Sequence, residues 1–187
     1  MSLRLVPKLT VVSVSPYDQI AVVPSFTVFS NDVADGMELP VPQRSGVMGA
    51  GGSDLSPHLV WSGFPEATRS FLVTVFDPMA PTGSGFWHWE VIDIPACVTH
   101  LQTGAGDDAG SGIPAGAFQL RNDAGLARYV GAAPPKGHGR HVYYIGVHAI
   151  DVESLGLEPT ASAAFLGFNL HSHTLARGVI APCYEAK

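Results

Sequence analysis

The stretch Val73-Thr-Val-Phe-Asp77-Pro-Met-Ala-Pro81-Thr-Gly-Ser-Gly85-Phe-Trp-His88-Trp-Glu-Val-Ile-Asp-Ile-Pro95 decides how this chain reads. An apolar alternating run ends on an acid, Asp77. A loop follows that Pro78 and Pro81 stiffen and Gly83 and Gly85 turn, because proline fixes φ and glycine tolerates what other residues cannot. The next run opens on His88, set between two tryptophans. A carboxylate and an imidazole delivered by neighbouring strand ends, beside aromatic rings, describe a small pocket for a polar ligand.

Short runs rich in Val, Ile, Phe and Tyr, separated by turn residues, cover 11–14, 20–29, 59–61, 70–76, 88–94, 118–121 and 142–150. Several are apolar on both parities, as in sheets covered on two faces. One helix is expected over 162–177, with Phe165, Phe168, Leu175 and Ala176 as its apolar stripe and Gly178 as its stop. A turn of helix is expected after Pro95. The Gly- and Asp-rich segments 31–52 and 103–116 read as long surface loops. The fold class is therefore mainly β: a β-sandwich of antiparallel sheets with peripheral helices, one near the C-terminus, in a single domain over 1–187.

Composition excludes several functions. The 187 residues are 46% hydrophobic and only 14% charged, which calls for a large core and argues against disorder. A net charge of −6 with ten Lys and Arg argues against nucleic acid and against a polybasic membrane patch. Two cysteines, Cys97 and Cys183, make neither a disulfide framework nor a Cys-based zinc site. No apolar run reaches membrane-spanning length and the opening residues lack a signal-peptide core, so a cytoplasmic protein is expected. A mean hydropathy of +0.21 with so few charges leads us to expect a homodimer.

A second constellation, Tyr129-Val-Gly-Ala-Ala-Pro134-Pro-Lys-Gly-His-Gly-Arg-His141-Val-Tyr143, repeats the design of the first. Pro134 and Pro135 stiffen a loop, and the strand after it carries His141 and Tyr143 on one face by period-two geometry. Histidines, a phenol and loop amides can hold a phosphate-like oxyanion. Asp77 would not attract an anion; it orients a histidine or accepts from an ammonium. Other signals carry less. His171 and His173 point apart on a helix. His88 and Glu90 with His141 lack a further metal ligand. Gly104-Ala-Gly-Asp-Asp-Ala has no βαβ unit around it, and there is no nucleophile elbow. No metal or cofactor is expected.

Asp77-Pro-Met-Ala-Pro81, Phe86-Trp-His88, Ala133-Pro-Pro-Lys-Gly and His141-Val-Tyr143, in this order, resemble the phosphatidylethanolamine-binding protein family and its bacterial Raf-kinase-inhibitor-like branch. Ser56-Pro57 before Trp61 and Gly167-Phe-Asn-Leu-His-Ser-His173 fit that branch too. The resemblance implies a β-sandwich with a small anion pocket formed by Asp77, Ala80, Pro81, Phe86, His88, Val130, Pro134, Pro135, His141 and Tyr143. It implies non-enzymatic binding of phosphate, phosphorylethanolamine, a phospholipid head group or a phosphorylated partner residue, with a kinase or other protein as partner. Met79 stands where the family has a second acid and Val142 where it has arginine. One alternative is a hydrolase or lyase using Asp77 and His88 as an acid–base pair. Another is a regulator acting by surface contact. The proline-rich bend leads us to expect a cis Ala80–Pro81 bond.

Overall fold

The structure, a computed structural model, describes residues 15–187. The expected strand at 11–14 lies outside the described residues. Strands β3 (Ser70–Asp77), β4 (Phe86–Pro95), β6 (Phe118–Gln119), β8 (Tyr144–Ile150) and β9 (Thr174–Ile180) form an antiparallel sheet in the order β6-β4-β3-β8-β9. A smaller antiparallel sheet has the order β1-β2-β5, from β1 (Thr27–Phe29), β2 (Leu59–Ser62) and β5 (His100–Leu101). Strands β7 (His141–Val142) and β10 (Cys183–Tyr184) pair beside them.

The main core lies between the two larger sheets. Alternate residues Phe71, Val73 and Val75 of β3 meet Leu59 and Trp61 of β2, all essentially sealed from water. The Phe71 ring packs edge-on to Trp61 at 5.3 Å and to Phe64 at 4.6 Å, contacts worth about 0.5–1.5 kcal/mol each beyond area burial. The opposite parity of β3 starts a second core: Leu72 joins Ile92, Ile150 and the helix residues Leu166 and Leu170.

Several expectations change in three dimensions. The helix α1 (Ala163–His173) is shorter than expected, capped at its start by the Ser162 hydroxyl, which accepts from the Phe165 N–H. Its buried stripe is Ala163, Leu166 and Leu170, whereas Phe165 and Phe168 face outward. The expected last turn and Gly178 belong instead to β9, because Thr174–Ile180 pairs with β8 and sheet hydrogen bonds outweigh a weak helix preference. Only Thr27–Phe29 of the 20–29 run is strand, Pro24 being unable to donate to a ladder. After Pro95 there is a turn closed by Val98 N–H donating to Pro95 O, not a helix. The 142–150 strand is two elements, with Tyr143 between them donating its N–H to Pro182 O. The loop 31–52 buries Val33, Leu39, Gln43 and Ser45, and 103–116 buries Ala105, so neither is merely a surface loop. No cis peptide bond occurs among the described residues; Ala80–Pro81 is trans.

Candidate functional site

Asp77 is the last residue of β3, and Pro78 after it cannot continue the ladder. The carboxylate is buried and fully used: Oδ1 accepts from the Met79 N–H at 2.8 Å and Oδ2 accepts from His141 Nδ1 at 2.6 Å. The loop returns through Gly85 at φ +75°, where an added Cβ would stand 2.5 Å from the Phe76 ring and 2.8 Å from Asp77 O. Only glycine fits there. The Thr82 hydroxyl, donating to Gly85 O, closes the bend.

A β-bulge aims His88. In the β3–β4 pairing Val75 faces Trp89 while Phe76 faces Trp87, so His88 is an extra residue without a partner in β3. Strict alternation would put it on the face of Glu90. Instead its ring lies 4.8 Å from that of Phe86 and 5.3 Å from that of Tyr143. His88 Nδ1 lies 2.8 Å from Val130 O. A carbonyl can only accept, so Nδ1 carries the proton and Nε2 of the neutral ring presents a lone pair. Burial holds the imidazole below its usual range, outweighing the Val130 carbonyl and the Asp77 charge, which push the other way.

These residues enclose a cavity of ≈ 220 Å³ at the end of the sandwich. Of the residues expected at the site, Asp77, Ala80, Pro81, Phe86, His88, Pro134, Pro135, His141 and Tyr143 line it. Val130 does not; its carbonyl orients His88 from behind. Met48, Thr82 and Ala133 complete the wall and were not among the site residues expected from the sequence. His138 was not among them either. Its Nδ1 lies 2.7 Å from His141 Nε2, and its place in Gly137-His-Gly139, three residues before His141, was the available signal.

Two buried polar atoms at this cavity have no hydrogen-bond partner among the described residues, His88 Nε2 and the Tyr143 hydroxyl. Burial, followed by the nearby Asp77 charge, raises the phenol well above its usual pKa, so it stays protonated and can donate. The cavity therefore offers an acceptor and a donor inside walls of proline and phenylalanine. Asp77 pairs with His141 rather than with His88. Glu90 does not line the cavity, and among the described residues no group of three or more His, Cys, Asp or Glu could hold a metal.

The phosphatidylethanolamine-binding protein family model matches residues 29–185, and the chain belongs to that family. It is 45% identical over 163 residues to the Escherichia coli protein YbcL, covering 87% of this chain and 89% of that one. YbhB of the same organism is 45% identical over 158 residues, covering 84% of this chain and 99% of the relative. The crystal structure of E. coli YbcL, described as a new member of the mammalian family, superposes with a TM-score of 0.85 over 87% of this chain and 99% of that chain.

Proposed function

We propose that the chain is a non-enzymatic binding protein for phosphate monoesters, taking phosphorylethanolamine or a similar head group in the Asp77–His88–Tyr143 cavity. One observation carries the reading: two buried polar atoms, a lone pair on His88 Nε2 and the Tyr143 O–H, stand unpartnered at one small cavity. Unpaired buried polar groups are costly, and a ligand that satisfies both recovers that cost. A phosphate monoanion matches the pair. Its P–O–H donates to His88 Nε2 and an anionic oxygen accepts from Tyr143.

The lining gives little support to hydrolysis. Its hydroxyls are Thr82, already donating to Gly85 O, and the Tyr143 phenol, which burial keeps protonated. Neither is an activated nucleophile. Calorimetric titration of phosphorylethanolamine tests the reading: saturable 1:1 binding is expected, with no phosphate released on long incubation. No binding anywhere between about pH 5 and 8, the range in which imidazole and phosphate titrate, overturns it.

Exposed apolar residues at Val22, Phe29, Met37 and Phe168 support a homodimer as well. Light scattering at micromolar protein should give twice the 19.6 kDa chain mass; a monomer alone overturns this.

A further inference from the structure

A second cavity, of ≈ 240 Å³, opens on the outer face of the large sheet, away from the sandwich core. The segment 16–23 and helix α1 form its sides, and Thr74, His148 and Arg177 form its floor. Most of the lining is apolar, including Ile20, Val23, Phe76 and Leu170. Arg177 is 9% exposed and has no ion pair among the described residues. Its Nε donates to His148 Nδ1 at 3.3 Å and its guanidinium lies 4.4 Å above the Tyr17 ring. The two terminal nitrogens make no hydrogen bond among the described residues. A buried arginine at an apolar cavity, without a carboxylate, has an unmet demand for an anion.

The polar floor sharpens that demand. Arginine cannot accept, so His148 Nδ1 is the acceptor and the proton of its neutral ring sits on Nε2. Burial, and then the Arg177 charge, push this histidine down to about 3, so it adds no charge of its own. His148 Nε2 lies 3.4 Å from the Thr74 hydroxyl, which lies 3.4 Å from the Tyr17 hydroxyl. The chain of long contacts thus runs from Arg177 to Tyr17, whose ring borders the same cavity. Gly146 makes the cluster possible, since a Cβ there would stand 2.3 Å from the Tyr17 hydroxyl.

We propose that this cavity binds a monocarboxylate with an apolar tail. The planar fork of Arg177 matches a carboxylate, one cation balances one negative charge, and the walls accept hydrocarbon. A dianionic phosphate would bury an excess charge here and could not use the apolar walls.

The test titrates octanoate into the full chain, followed by calorimetry and by the emission of Trp87, which borders the cavity. Octanoate should bind saturably, while 1-octanol binds at least about tenfold more weakly, the factor that one charge-assisted interaction commonly supplies. Arg177→Met should lose about tenfold in octanoate affinity. Gly167→Leu, where an added Cβ meets nothing within 4 Å, should fill the cavity and block octanoate without unfolding the helix. Neither variant should alter phosphorylethanolamine binding, so this proposal can fail while the first cavity's reading stands, and the reverse. Octanol binding as well as octanoate, inorganic phosphate displacing octanoate, or full octanoate binding by a folded Gly167→Leu protein would each overturn it.

Discussion

The Glu90→Gln protein should be more stable than the parent above about pH 8, by several kcal/mol, and close to it near pH 4.5. Glu90 lies in β4 opposite Thr74, is fully buried, and neither carboxyl oxygen has a hydrogen-bond partner among the described residues. Burial, and then the charge of Asp123, raise its pKa from 4.5 to about 8. A carboxyl raised in the folded state binds its proton more tightly there than in the unfolded chain. Its contribution is therefore fully present below about pH 4.5 and is lost as pH rises through about 8. At about 1.4 kcal/mol per pKa unit the loss is on the order of 5 kcal/mol. Glutamine keeps the shape and cannot ionise, so Glu90's share of the pH slope between these limits should vanish in the variant. Urea unfolding of both proteins across that range checks this, because the difference between the curves isolates Glu90 from every other titrating group. Parallel curves would show that the folded protein does not hold Glu90 protonated.

The second large effect is expected at the first cavity. His88→Ala should weaken phosphorylethanolamine by about 1.5–3 kcal/mol, or roughly ten- to a hundredfold, the scale of a hydrogen bond involving a charged group. Tyr143→Phe should cost a similar amount by removing the phenol donor. His171→Ala should have no effect on this ligand, since His171 borders the other cavity. The pH dependence separates this picture from simple attraction to imidazolium. Were the histidine free to take a proton near its usual pKa, the imidazolium would attract the anion and affinity would rise there. Burial holds His88 below that range, so the proton that matters sits on the ligand. Affinity should then rise as pH falls through the second phosphate pKa of about 6, where the monoanion supplies the P–O–H donor. A phosphonate analogue with a higher second pKa should shift that dependence upward by the same amount. A dependence that ignores the ligand's pKa would place the proton on the protein.

Much of this cavity was legible because its parts are local. Asp77, Pro81 and His88 sit within a dozen residues, and a Pro/Gly loop between two apolar runs can do little but join two strand ends. The second loop, from Pro134 to His141, repeats that logic. The Met79 and Val142 departures leave the cavity walls intact, since neither residue lines the cavity. Other features depended on neighbours distant in sequence. Asp77 meets His141, which β7 carries, while the bulge in β4 sets His88 against the Val130 carbonyl and the Phe86 and Tyr143 rings. Residues 174–180 read as the end of a helix and form a strand because β8 offers them a ladder.

By itself the sequence determined the antiparallel sandwich, the positions of the stiffened loops and the residues that gather at the strand ends. Those follow from alternation, turn chemistry and proline, each acting over a few residues. Only the tertiary structure decided which histidine the acid holds, which tautomer His88 adopts, and that Glu90 and Arg177 are buried without an ion pair among the described residues. These are matters of desolvation and long-range pairing: a charge spaced like any surface residue becomes a buried one only when sheets and helix close over it.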